Sequence, residues 1–225
     1  MIYIIGDSHV SVFSGTDKTH DNLRHIQPEF GTCYTLSQGQ LRTHINRFEQ
    51  QIEYFCPIKV GSYTAYNIYD KLPIILQAIE EYEITKDDYI FFSFGEIDIR
   101  HHIGFQLTSG TILPDLIHNV VKRYFKMINH IKDKGYNVGV YGAPPSTVGG
   151  NNGTQYSTVM VRNSMTKIYN SMLSDECKKI EIPFKCVTDK LMTHNGFTDE
   201  SYMMDDIHLG QKAMQFIKEE FSDII

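Results

Sequence analysis

Apolar residues fall along the chain in two rhythms. Short, largely apolar runs occupy residues 1–5, Pro57–Gly61, Tyr89–Phe94, Val138–Tyr141 and Pro183–Val187. Runs of this length without period-two alternation read as strands buried on both faces. Between them, apolar positions recur at helical spacing. Leu41, Ile45, Phe48 and Ile52 sit at offsets 0, 4, 7 and 11. Leu72, Leu76 and Ile79, with Tyr82 as a further candidate, follow Asp70, an expected N-cap, with Pro73 tolerated in a first turn. Ile117, Val120, Val121, Tyr124, Ile128 and Ile131 form a long stripe that ends near Gly135. Val161, Met165, Ile168, Tyr169 and Met172 form another, and Leu209, Ala213, Phe216, Ile217 and Ile224 the last. Strand and helix thus alternate about five times. This predicts a single α/β domain over residues 1–225: three α/β/α layers around a central parallel sheet of about five strands.

Two stretches read as loops. Ser146–Ser157 carries Gly149, Gly150, Asn151, Asn152 and Gly153, and is expected to be mobile. Asp98–Pro114 follows the third strand and carries Arg100, His101 and His102. The strand–helix rhythm resumes after each, so neither reads as a domain linker.

Composition narrows the function. Of 225 residues, 41% are hydrophobic and 21% charged, which suits a globular core rather than a disordered chain. No apolar run approaches the roughly 18 residues of a membrane span, so no membrane partner is expected. The start, Met1-Ile2-Tyr3-Ile4-Ile5, lacks a basic segment and a small-residue cleavage site. That reads as a cytoplasmic chain, or as a secreted one whose leader has been removed. Cys33, Cys56, Cys177 and Cys186 have no CxxC spacing and read as reduced thiols rather than a zinc site or disulfide framework. Net charge is −6, and no basic cluster exceeds Lys178-Lys179 or Lys122-Arg123. A nucleic-acid partner is therefore not expected.

In an open parallel sheet, ligands bind beyond the carboxyl ends of the strands. The five tips read Gly6-Asp7-Ser8-His9, Gly61-Ser62, Gly95-Glu96-Ile97-Asp98-Ile99-Arg100-His101-His102, Gly142-Ala143-Pro144-Pro145-Ser146 and, in a longer loop, Asp205-Asp206-Ile207-His208. Each is glycine-rich or reactive, and all five are expected on one edge. Simpler readings exist for each block. Gly6-Asp7-Ser8 also suits an ordinary strand-to-helix turn with Asp7 or Ser8 as N-cap, and Asp205 with His208 suits a cap on the last helix.

As an ordered set, these blocks resemble those of the SGNH (GDSL-type) hydrolases. Gly6-Asp7-Ser8 matches the nucleophile block, with His9 where the common motif has leucine. Gly61 matches the second-block glycine. Gly95 and Asp98 fit the glycine-x-asparagine-aspartate block. Asp205-x-x-His208, followed by Leu209 and a C-terminal helix, matches the last. The resemblance implies a flavodoxin-like strand order, no metal or organic cofactor, and a serine esterase acting on a small-molecule or glycan acyl ester, with acetyl the expected acyl group. By resemblance Ser8 is the nucleophile, His208 its base, and Asp205, chosen over Asp206 by spacing, orients the base. The backbone amides of Ser8 and Gly61 would supply the oxyanion hole.

The sequence departs from the family at Ile97, where an asparagine side chain would give a third oxyanion donor. Arg100, His101 or Asn67 stand as replacements. Asp7, Glu96, Arg100 and His101 are candidate substrate contacts. Glu96 and Arg100 read equally well as an ion pair shaping their loop, and Asp98 as a structural hydrogen-bond acceptor. Three other functions compete. Ile-Ile-Gly-Asp-Ser-His also resembles the first block of the calcineurin-like metallophosphatases, with Asp7 and His9 as metal ligands, but their Gly-Asn-His block is absent. A binding module that holds a glycan without turning it over would fit the lost asparagine. An acyltransferase would use the same serine with a sugar hydroxyl as acceptor.

Overall fold

The structure, a computed structural model, describes residues 1–15, 17, 33–37, 40–44, 54–107, 110, 112–148 and 157–225. Seven strands form one sheet: β1 (Ile2–Gly6), β2 (Cys33–Ser37), β3 (Gln40–His44), β4 (Phe55–Lys59), β5 (Tyr89–Ser93), β6 (Asn137–Tyr141) and β7 (Phe184–Lys185). Their order is β3-β2-β4-β1-β5-β6-β7. All neighbours are parallel except β2 and β3. The five strands expected from the apolar runs stand as β4-β1-β5-β6-β7, the second-first-third-fourth-fifth order of flavodoxin-like folds.

Burial on both faces explains why these strands read as continuous apolar runs. In β1, Ile2 and Ile4 join one core with Phe55, Phe91, Tyr141 and Phe221. Ile5 points the other way, to Ile58, Ile90, Phe92, Val138 and Val140. That second core is covered by α1 (Leu72–Glu81), α2 (Leu113–Asp133) and α3 (Val159–Lys179). The first is covered by the 3₁₀ segment Ser8–Ser14, through Val10, Val12 and Phe13, and by α4 (Met214–Glu220), through Ile217. The result is three layers, as expected. Register sets Gly6 beside Lys59 on one side and Ser93 on the other. The tips of β4, β1 and β5 therefore end level.

The structure corrects four expectations. Leu41 lies in β3 rather than in a helix, paired with Leu36 of β2; Ile45, Phe48 and Ile52 lie outside the described residues. At Leu41, pairing with β2, itself docked on β4, overrides the helical spacing. Asp70 does not cap α1. A 3₁₀ turn, Ile68–Lys71, precedes the helix, and Asp70 instead accepts Arg123 Nη2 at 2.7 Å. Residues 98–107 are helical rather than loop: a π-helical turn, Asp98–Ile103, runs into Gly104–Leu107 and buries Asp98, Ile99 and Ile103. Leu209 sits before the last helix, bridged to Met203. Of the expected mobile loop, residues 149–156 lie outside the described residues. Cys56, Cys177 and Cys186 are free thiols, and no helix among the described residues is long and apolar enough to cross a membrane.

Candidate active site

The turn after β1 depends on glycine. A Cβ on Gly6 would lie 2.3 Å from the Ser93 carbonyl oxygen and 2.7 Å from Val10 Cγ1. Without one, the chain crosses the end of β5 and enters the Ser8–Ser14 segment. Asp7 caps that segment, its Oδ1 accepting the His9 amide N–H at 2.9 Å. Asp7 therefore faces inward, 1% exposed. Ser8 stands half-buried at the mouth of the turn.

The loop that faces Ser8 is built locally. Met203 bridges Leu209, and the Met204 N–H donates to the His208 carbonyl at 2.9 Å. Inside this closed loop, Asp205 Oδ1 accepts the amide N–H groups of Ile207 (2.9 Å) and His208 (2.7 Å). The three-residue spacing thus wraps the backbone around the carboxylate and brings His208 back onto it. His208 Nδ1 lies 2.8 Å from Asp205 Oδ2 and 3.0 Å from Oδ1. His208 Nε2 lies 2.8 Å from Ser8 Oγ. A carboxylate can only accept, so Nδ1 carries the hydrogen and Nε2 presents its lone pair to the Ser8 hydroxyl. Asp206 is exposed, and its carbonyl accepts the Thr147 hydroxyl.

A second buried group adjoins the first. His9, directly after Ser8, sets its Nε2 3.0 Å from Glu96 Oε2. Arg100 grips Glu96 with Nε on Oε1 (2.6 Å) and Nη2 on Oε2 (3.0 Å), the two-pronged geometry that guanidinium offers carboxylate. Arg100 Nη1 also donates to His101 Nε2. The His9 and His208 rings lie 4.9 Å apart between centroids, tilted by 38°. Burial, then the charge of His9, push the His208 pKa down to about 4. Burial works against a charge on His9, but the carboxylates of Glu96 and Asp7 outweigh it and raise its pKa. Glu96 is likewise buried, yet His9 and Arg100 hold its carboxyl well below the usual range.

Gly61 follows β4 beside this turn, since the Val60 N–H donates to the Gly6 carbonyl at 3.0 Å. Its φ of +128° is open to glycine and hostile to a side chain. Asp98 holds the next turn: Oδ2 accepts the Ala65 N–H (2.7 Å) and Oδ1 that of Tyr66 (3.3 Å). Burial nonetheless pushes the Asp98 pKa up to about 7. Ile97 is half-buried and offers no donor. Of the replacements considered, Arg100 is committed to Glu96, and Asn67 turns its Oδ1 to the Thr64 N–H at 2.9 Å. Among the described residues, no cluster of three or more His, Cys, Asp or Glu could hold a metal ion.

Sequence reasoning overlooked the polar face of α3. Arg162, Asn163, Thr166 and Asn170 are all buried. Asn163 Oδ1 accepts the Ser146 N–H at 2.8 Å, and Asn170 Oδ1 the Ala143 N–H at 2.9 Å. Arg162 Nη2 donates to the Thr147 carbonyl at 2.8 Å. This face fastens the tip of β6, which in turn touches the Asp205–His208 loop through Thr147. The signal was present: polar residues 162, 166 and 170 recur every four positions.

No protein-family model and no curated protein matches the sequence. Solved structures match its fold. A GDSL-like lipase from Bacteroides thetaiotaomicron is 9% identical over 99% of this chain and 85% of its own, with a TM-score of 0.57. Acetyl xylan esterase AlAXEase is 12% identical over 100% of each chain, with a TM-score of 0.55. A carbohydrate acetylesterase family member from Sinorhizobium meliloti is 12% identical over 100% of this chain and 97% of its own, also at 0.55. At such identities the likeness is one of architecture: this chain has the fold of the GDSL-type hydrolases.

Proposed function

We propose that the protein is a serine esterase acting on short acyl esters, with an acetyl ester of a carbohydrate as the expected substrate. The observation that carries this reading is the unbroken line Asp205–His208–Ser8, with 2.8 Å at each of its two joints. As Ser8 Oγ attacks the ester carbonyl, His208 Nε2 takes its proton, and Asp205 stabilises the imidazolium. The backbone N–H groups of Ser8 and Gly61 meet the oxyanion. His208 then returns the proton to the departing alcohol, leaving an acyl group on Ser8. Water, deprotonated by the same histidine, releases the acid. With Ile97 in place of an amide donor, the oxyanion has one partner fewer, which costs about 100-fold in turnover. The acetyl and carbohydrate assignments draw on the names of the similar structures, an acetyl xylan esterase and a carbohydrate acetylesterase family member.

A fluorophosphonate probe tests this whatever the natural ester, because it reacts with any activated serine. Intact mass and peptide mapping are expected to find a single adduct on Ser8, absent from His208→Ala. Ser8→Ala is expected to fold and to lose hydrolysis of p-nitrophenyl acetate. A folded protein that takes no label, or equal rates in wild type and Ser8→Ala, overturns the serine mechanism.

A further inference from the structure

His9 occupies the one position of the nucleophile turn whose residue type the serine chemistry does not explain. It is 5% exposed, and its neighbours leave it little choice of orientation. Its amide is held by Asp7 and its Nε2 by Glu96, and its ring lies against His208. Glu96, 4% exposed, is held in turn by both prongs of Arg100, which rises from the π-helical turn after β5. A buried histidine between a fixed carboxylate and a second imidazole is a costly arrangement unless its charge is used.

We propose that His9 is a positioning residue for His208: the Arg100–Glu96 pair fixes the His9 ring as one wall of the site, and the positive charge on that ring adds to burial in keeping His208 neutral and turned toward Ser8. This rests on the esterase reading given above. Asp7 and Glu96 lie on the His9 side and favour its charge; Arg100 opposes it. Asp205, on the far side of His208, and Glu96 favour a proton there, while burial and His9 disfavour it. A neutral His208 keeps the Nε2 lone pair that Ser8 requires, in mildly acid as well as neutral solution. The same repulsion makes the imidazolium formed during attack a stronger acid, ready to give its proton to an alkoxide.

The test follows each imidazole by its Cε1–H signal in an NMR titration of Ser8→Ala, alone and combined with His9→Gln. Glutamine keeps an N–H for Glu96 without the charge. The His208 midpoint is expected below the usual histidine range in the parent and about one unit higher with His9→Gln. In the active protein, the acid limb of kcat/KM moves upward with it. An unmoved midpoint, or an equal loss of rate at every pH, overturns the proposal. His9→Leu is the alternative should the glutamine variant not fold. The parent spectrum is decisive even without either, because His9 must keep its proton at a pH where His208 has lost its own. The titration needs no turnover, so a protein without esterase activity still answers this question separately.

Discussion

Asp205 serves two masters with two oxygens. Oδ1 gathers the amides of Ile207 and His208 into a turn, and Oδ2 takes the imidazole. Substitution separates these tasks. Asp205→Asn can keep an oxygen toward the amides but sets an N–H against His208 Nδ1, forcing the other tautomer. Its kcat is expected to fall about 1,000- to 10,000-fold with the melting temperature little changed. Asp205→Ala loses the turn as well and is expected to melt lower. Steady-state kinetics and thermal melts of both variants check this, and equal melting temperatures would deny the turn its structural role. The sequence made the Asp205–His208 pair legible because three residues of spacing contain the whole arrangement. His9 was opaque for the opposite reason. Its surroundings come from Glu96, 87 positions away, and from His208, 199 positions away.

The elements divide in the same way. Strands and helices buried by their own apolar pattern were readable, because burial on two faces or one stripe writes itself into the sequence. The hairpin β2–β3 was not, because Leu41 also fitted a helical stripe. Yet Ser37 pairs with Gln40, leaving only Gln38-Gly39 between the strands, and a glycine-bearing two-residue link is a hairpin signal. In α3 the apolar stripe was visible while the polar face passed unread. Arg162 is 1% exposed and directs its guanidinium to the carbonyls of Ser157 and Thr147 rather than to a carboxylate. Asn170 clasps Ala143, accepting from its N–H and donating to its carbonyl, each at 2.9 Å. Removing that clasp leaves a buried N–H without a partner. Asn170→Ala is expected to cost about 2–3 kcal/mol in urea unfolding at constant m. A cost near zero would mean that α3 does not hold the β6 tip.

For the molecule as a whole, buried acids tie stability to pH. Asp98 ionises at about 7 in the folded chain against 3.8 ordinarily, because burial outweighs its two amide donors. Between those values the folded state holds a proton that the unfolded chain has released. Its contribution therefore declines as pH rises through this window and is level above it. Asp7, pushed up to about 6 by burial, acts in the same sense. His208 opposes both, since the unfolded chain keeps its proton up to 6.5 and the folded chain only to about 4. Asp98→Asn removes the largest of these effects. Its melting temperature relative to wild type is expected to be more favourable at pH 8 than at pH 5, as differential scanning calorimetry can measure. An equal difference at both values would mean that Asp98 is ionised throughout. The hydrogen bond between Ser8 and His208 spans 200 positions of the chain. During synthesis Ser8 is made 200 residues before His208, so until then a growing chain on the ribosome carries the serine without this partner. On the proposed mechanism, a chain terminated before His208 keeps Ser8 as an unactivated hydroxyl and is chemically silent.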